Sequence, residues 1–158
     1  MQQGIAGGAL AQALIKSGLA KASHAQAEKE PAPTCQYCGQ IAELVTGEVI
    51  YPGLTYLHHK HFWHCAPCAS YVGCHEPGKG YGDGTRPLGL LANAELREAK
   101  QAVHAVLDPI WKSGQKTRKQ AYQWLADKLC IPVQNCHVGM FTVEQCQRAE
   151  AVCKALSG

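Results

Sequence analysis

Hydrophobic residues follow two different patterns along the chain. Between residues 34 and 77 they occur in short runs, which are separated by turn residues such as Pro52-Gly53. Short apolar runs bounded by glycine and proline predict β-strands. The predicted strands are residues 41–46, 49–51, 62–64 and 70–73. We therefore expect a small β unit of three or four strands.

From residue 78 onward the apolar residues recur at helical spacing. The predicted helices cover residues 91–107, 117–129 and 142–156. Thr117 can cap the second helix, and Thr142 with Gln145 three residues later has the form of a capping box. We expect Asp108-Pro109 to end the first helix, because proline lacks the N–H that a helix interior needs. The pattern predicts an α+β fold, with a β unit followed by about three helices that pack on it.

Two further segments are predicted to be connections. Residues 1–33 are rich in Ala, Gly, Gln and Lys and end in Glu30-Pro31-Ala32-Pro33, which is typical of an extension followed by a stiff linker. Residues 78–84 are rich in glycine and predict a flexible connector. The expected organisation is an N-terminal extension and linker at 1–33, a β unit at 34–77 and a helical region at 78–158.

Composition and charge exclude several classes of protein. The 158 residues are 46% hydrophobic and 17% charged, as in folded proteins. No stretch of about 20 apolar residues occurs, so we expect no membrane span. The N-terminus lacks the basic segment and unbroken apolar core of an export signal, which predicts a cytoplasmic protein. A net charge of +3 is too small to indicate a polyanionic partner by itself.

Cysteine spacing is the strongest chemical signal. Four of the nine cysteines form two Cys-x-x-Cys pairs, Cys35 with Cys38 and Cys65 with Cys68. In a reducing compartment this pattern indicates metal rather than disulfides, and Zn²⁺ accepts four thiolates as a closed tetrahedron. A β unit of this size needs such a staple, because it is too small to bury a sufficient core. We predict one structural zinc ion in a zinc-ribbon-like unit; two redox-active pairs are the alternative, but the βαβ context is missing.

Other cysteines and histidines leave a second metal site open. Cys74 or His75 could replace one of the four thiolates, and a further site could use residues in the helical region. Those residues are Cys136, His137, Cys146 and Cys153. We favour core packing instead, because free cysteine is a small residue that is often buried. In that interpretation Cys130, Cys146 and Cys153 lie on apolar helix faces.

Spaced motifs extend from about Thr34 to Cys153. They include Cys35-x-x-Cys38-Gly39, His61-Phe62-Trp63-x-Cys65-x-x-Cys68-x-x-Tyr71-Val72-Gly73-Cys74-His75, Arg86-Pro87-Leu88-Gly89, Asp108-Pro109-x-Trp111-Lys112-Ser113-Gly114 and Cys136-His137-x-Gly139-Met140-Phe141. On these motifs the chain resembles a family of small phage and prophage proteins that contain a zinc finger and have no established activity. The resemblance implies one zinc finger and a phage or bacterial-host setting, and it supplies no reaction. Members of that family tend to have glycine where this chain has Cys130.

A cluster of cations beside an aromatic residue suggests nucleic-acid binding. Its members are Trp111, Lys112, Lys116, Arg118 and Lys119. Cations contact phosphates and an aromatic ring can stack on a base, so this composition suits a non-catalytic nucleic-acid-binding module. A solvated entry to a helix would explain the same charges equally well.

Two other functions remain open. An adaptor that binds a host or phage protein could use the large hydrophobic residues as anchors, namely Phe62, Trp63, Tyr71, Trp111, Trp124 and Phe141. A zinc-stapled His-Asn-His-like endonuclease would draw its catalytic residues from His58, His59, His61 and Asn93. For that nuclease the second cysteine pair follows His61 too closely to leave room for the usual hairpin, and other conventional catalytic motifs are absent.

Overall fold

A computed structural model describes residues 30–78 and 80–157 of the chain, so most of the predicted N-terminal extension lies outside the described residues. Three strands form one antiparallel sheet in the order β1 (Glu43–Thr46), β2 (His61–Cys65) and β3 (Ser70–Gly73). A helical region follows with α2 (Ala94–Lys112), α3 (Arg118–Leu129) and α4 (Val143–Ser157). The α+β prediction is confirmed. Within the described residues no helix combines the length and the apolar character needed to cross a bilayer.

The predicted strand at residues 49–51 is wrong. Its place is taken by a single helical turn, α1 (Gly47–Ile50), which the Tyr51 N–H closes by donating to the Gly47 carbonyl (2.7 Å). Gly47 also donates to the Lys60 carbonyl, and a Cβ at this position would lie 1.9 Å from the Leu57 oxygen. The chain folds back on itself too tightly here to continue as a strand.

The two faces of the sheet are covered differently. One face carries Leu44, Trp63 and Val72, which are neighbours across the three strands and pack with Leu91. On the other face Tyr51, Phe62 and Tyr71 meet edge to face, with ring centroids 5.7–6.2 Å apart. The guanidinium of Arg97 lies 4.3 Å from the centroid of Tyr71, so α2 contributes a cation to this aromatic cluster.

The first long helix begins and ends later than expected. Asn93 caps α2, its side-chain oxygen accepting a bond from the Leu96 N–H (3.0 Å). The helix then continues through Pro109 to Lys112, so the prediction that Asp108-Pro109 would end it is wrong. A proline disrupts the helix only locally, and burial of Ile110 in the core stabilises the last turn.

Capping boxes open the other two helices; the sequence predicted the box at Thr142 and a cap by Thr117. Thr117 and Gln120 exchange side-chain to backbone hydrogen bonds before α3, and Thr142 and Gln145 do the same before α4. The buried faces of α2, α3 and α4 form the larger hydrophobic core. It contains Leu96, Val103, Leu107, Ile110, Ala121, Leu125, Ala126, Leu129, Cys146, Ala149 and Cys153.

An extended segment, residues 86–92, joins the sheet to the helical region. Tyr71 and Ala92 exchange two backbone hydrogen bonds, and the Leu88 N–H donates to the Gly73 carbonyl. On its other side the segment touches the turn Val138–Met140, where the Gly139 carbonyl accepts from the Leu90 N–H (3.0 Å) and from the Lys100 amine (2.7 Å). Segment 86–92 therefore bonds to both halves of the molecule.

Described residues of the glycine-rich loop, which the sequence predicts to be a flexible connector, form hydrogen bonds with one another. The Gly78 N–H donates to the Gly82 carbonyl, and Asp83 accepts two bonds from Thr85. The Trp63 indole N–H donates to the Thr85 carbonyl (2.7 Å), which ties the end of the loop to the sheet.

Gly89 lies where no side chain fits. A Cβ there would approach the Gly139 oxygen to 2.1 Å, whereas a Cβ on Gly53 would meet nothing within 4 Å. We predict that Gly89→Ala lowers the free energy of unfolding by about 1–3 kcal/mol, because segment 86–92 must move away from residues 138–140. Urea unfolding measures the difference, and Gly53→Ala is the control. An equal effect of both substitutions would contradict the close approach.

Cys130 ends α3 in the left-handed region, with φ of 56°, and its side chain is exposed. The expectation that it packs on an apolar helix face is therefore wrong, because the chain turns away from the helix at this residue. Glycine adopts this conformation without the penalty that a Cβ brings. We predict that Cys130→Gly stabilises the protein by about 1 kcal/mol, measured by thermal unfolding. Cys130→Ala retains the Cβ and should leave the stability near that of the parent chain.

Candidate metal centre

The first cysteine pair lies in a tight hairpin before the sheet. Thr34 and Ile41 pair as an antiparallel bridge, and Cys35 donates its N–H to the Gln40 carbonyl (2.7 Å). Gly39 follows Cys38 with φ of 75°, a conformation that favours glycine, and its N–H donates to the Cys35 carbonyl. This turn aims both sulfur atoms toward the same point, as the Cys-x-x-Cys-Gly pattern predicted.

The second pair occupies the connection between β2 and β3. Cys65 ends β2, the turn Ala66–Cys68 follows, and Ala69 returns the chain into β3. Ala69 has φ of 47°, so it adopts the left-handed conformation that Gly39 supplies in the first hairpin. Both pairs thus have the same local geometry, although only the first has a glycine at this position.

The four sulfur atoms lie within 4.8 Å of one another. The sulfur atoms of Cys38 and Cys65 are 3.5 Å apart. A tetrahedron with Zn–S bonds of about 2.3 Å has S···S edges of about 3.8 Å, so the cluster has the dimensions of a four-thiolate zinc site. These residues, Cys35, Cys38, Cys65 and Cys68, can hold a single zinc ion, and a site closed by four thiolates is structural.

Hydrogen bonds stabilise negative charge on Cys35. Burial raises the pKa of its thiol, but bonds from the Ser70 hydroxyl (3.4 Å) and from backbone N–H groups outweigh burial and lower the pKa to about 6. The neighbouring thiols, Cys38 first, raise the pKa of Cys68 to about 12, and burial raises that of Cys65. A divalent cation offsets the repulsion between neighbouring thiolates, because it attracts all four of them at once.

Among the described residues the structure brings together no second cluster of three or more potential metal ligands. Burial raises the pKa of Cys136 and Cys153 to about 11, and it also raises the pKa of Cys146, which lies in the same core. Cys74 is half-buried with a pKa raised to about 11, again chiefly by burial. These thiols have the environment of core residues, in line with the interpretation that the sequence favoured.

The candidate nuclease residues do not converge. The Asn93 side chain caps α2, and His58 lies 3.1 Å from the Pro52 carbonyl through Nε2. His59 and His61 are exposed, on the turn before β2 and at its first residue. Within the described residues none of them joins a group of potential metal ligands.

The predicted nucleic-acid contacts lie at the junction of α2 and α3. The guanidinium of Arg118 lies 5.8 Å from the ring centroid of Trp111 and 5.5 Å from that of Tyr122. Lys112 pairs with Asp108 (2.9 Å), so its charge is partly neutralised, and Lys116 is half-buried. The structure thus brings Lys112 (5.3 Å) and Arg118 to the ring of Trp111, and Lys119 follows Arg118 in α3.

Arg118 and Lys119 also line a groove of about 850 Å³ between the helical region and segment 86–92. The sequence does not show that its lining residues share one surface, because they come from separate segments of the chain. The lining includes His75, Tyr81, Arg86, Leu88, His104, Tyr122, Val133, His137 and Met140. Of this surface, the basic motif around Arg118 is the part that the sequence marked as a nucleic-acid contact.

A three-stranded sheet with two cysteine hairpins closing on one tetrahedral cluster defines a zinc-finger protein. The chain belongs to the family of zinc-finger-containing domains, whose model matches residues 32–156. This match confirms the zinc-finger-containing family that the spaced motifs indicated. No curated protein and no solved structure matches the chain.

Removing one thiol tests the zinc site. We predict that Cys38→Ser reduces bound zinc from about one ion per chain to nearly none, because three thiolates and a hydroxyl bind the ion far more weakly. The β2 and β3 amides should then lose hydrogen-exchange protection, while α2, α3 and α4 keep their own core. Cys130→Ser, at an exposed cysteine distant in sequence from the cluster, is the matched control. Zinc retention in Cys38→Ser would refute the assignment.

Proposed function

We propose that the protein is a non-catalytic nucleic-acid-binding module whose basic groove contacts phosphates. The setting proposed is the cytoplasm of a bacterial host of a phage or prophage, as the resemblance to such proteins implies. The observation that carries the proposal is the placement of Arg118 against two aromatic rings at an open groove.

The stacking of Arg118 suits phosphate binding. The guanidinium of Arg118 lies over the rings of Trp111 and Tyr122. A guanidinium held in this way keeps further N–H groups at its edge for a phosphate. No carboxylate of the described residues lies within ion-pair distance of Arg118 or Lys119.

The charge of the groove favours an anionic ligand. Its described lining contains Arg86, Arg118 and Lys119 and no Asp or Glu. Two carboxylates lie nearby: Glu30 is 3.4 Å from Arg86, and Asp108 is 3.2 Å from His104. The groove therefore keeps a net positive charge. An anionic partner that displaced Glu30 from Arg86 would gain an ion pair with the freed guanidinium.

The alternative functions find less support. An adaptor would need its aromatic anchors at the surface, but Phe62, Trp63 and Phe141 are buried, and Tyr71, Trp111 and Trp124 are half-buried. An endonuclease would need Asn93 at a reacting group, whereas its side chain caps α2.

Fluorescence anisotropy over a salt series tests the proposal. We predict that log affinity for labelled nucleic acid falls linearly with log salt. Arg118→Gln should weaken binding by about tenfold and reduce that slope by about one, because one phosphate contact is lost. Lys128→Gln makes the same change of charge on an exposed residue of α3 that does not line the groove, and it should bind like the parent chain. Absence of binding at low salt would overturn the proposal in favour of a protein partner.

A further inference from the structure

The groove has two walls of different origin. On the side of the zinc-stapled sheet, His75 comes from the chain just after β3, Tyr81 from the glycine-rich loop and Arg86 from segment 86–92. The helical region provides Arg118, Lys119 and Tyr122 on the other side, while Leu88, Val133, Val138 and Met140 contribute apolar surface between them. The groove thus combines cations, aromatic rings and an apolar lining.

A stacked pair of rings forms part of the first wall. His75 and Tyr81 lie parallel, with an interplanar angle of 1° and centroids 4.1 Å apart. Tyr81 is 43% exposed, while His75 is half-buried. The loop hydrogen bond from Tyr81 N–H to the Gly78 carbonyl (3.0 Å) helps to hold the ring. A planar group that stacks on Tyr81 would extend this pair.

The cations are distributed along the groove. Arg86 and Tyr81 come from the chain that follows the sheet, whereas Arg118 and Lys119 come from α3, where Arg118 lies beside Tyr122. A ligand that places a planar apolar group on an aromatic ring and anionic groups on these cations would match the groove in both shape and charge.

We infer that this groove binds an unpaired segment of a nucleic-acid strand, with a base stacked on Tyr81 and phosphates on Arg86 and Arg118. The inference rests on the proposed function and names its substrate class. Base faces are available for stacking on protein side chains only when the strand is unpaired. A volume of about 850 Å³ is in the range of pockets that enclose small ligands. Such a space suits one or two nucleotides and is too small for a duplex.

The test compares paired and unpaired probes on zinc-loaded full-length protein. The probes are fluorescein-labelled oligothymidine and oligouridine of about 12 nucleotides, and a DNA duplex of the same length. We expect both single strands to bind at least about tenfold more tightly than the duplex at equal salt. Comparison of oligothymidine with oligouridine distinguishes DNA from RNA as the source of the strand.

Substitution of the stacking residue locates the site. Tyr81→Ala should weaken single-strand binding by about tenfold, and Tyr81→Phe should restore it because the ring remains. Tyr56→Ala is the matched control, since Tyr56 is 67% exposed and does not line the groove. Zinc content and circular dichroism of each variant verify that it is folded.

The outcomes separate the two proposals. The duplex could bind as tightly as the single strands, with binding weakened by Arg118→Gln and not by Tyr81→Ala. That result would support the proposed nucleic-acid-binding function and overturn the inference that the groove binds unpaired bases. A preference for single strands that Tyr81→Ala does not reduce would overturn the location. If no probe binds at low salt, the proposed function and this inference both fail.

Discussion

The convergence of four sulfur atoms on one point is the constraint on which the amino-terminal half depends. The hydrophobic cluster that packs on one face of the sheet has few buried residues, namely Cys35, Ala42, Trp63, Cys65 and Leu91, and two of these are themselves in the cysteine cluster. Burial of so little apolar surface cannot offset the conformational entropy of the hairpins and strands. Zinc binding to such sites contributes on the order of 10 kcal/mol to the free energy of folding, which offsets the small contribution of this core.

The metal centre is connected to the rest of the molecule through the start of α2. Tyr37, between the first two cysteines, accepts a hydrogen bond from the Asn93 N–H through its hydroxyl (3.2 Å). Asn93 in turn caps α2, and its neighbour Ala92 pairs with β3. The position of the helix, and with it the wall of the groove that the helical region provides, is thus fixed relative to the cysteine hairpins. A change in the position of the cysteine hairpins would therefore move the start of α2 through the Tyr37–Asn93 hydrogen bond.

Local signals in the sequence predicted the parts of this protein that local interactions determine. The Cys-x-x-Cys turns, the cap by Thr117 and the capping box at Thr142 each depend on residues within one turn, and the structure has them where they were expected. The failures have long-range causes: Pro109 stays helical because Ile110 is buried, and the predicted strand after Thr46 is replaced by a turn packed against Leu57. Asn93 followed by Glu95 does have the pattern of a helix N-cap, but Asn93 was interpreted as a candidate nuclease residue instead. The groove could not be predicted, because its walls meet only in the folded chain.

The order of the cysteines along the chain has a consequence for biosynthesis. Cys38 and Cys65 are 27 positions apart, and Cys68 leaves the ribosome well before Leu91, the residue that completes burial around the cluster. Closing a loop of this length carries only a modest entropic penalty, so the nascent chain can capture zinc before its helices exist. During that interval the thiols lack their hydrophobic cover and are open to oxidants and to competing soft metals. The yield of correctly assembled protein therefore depends on the zinc available during translation.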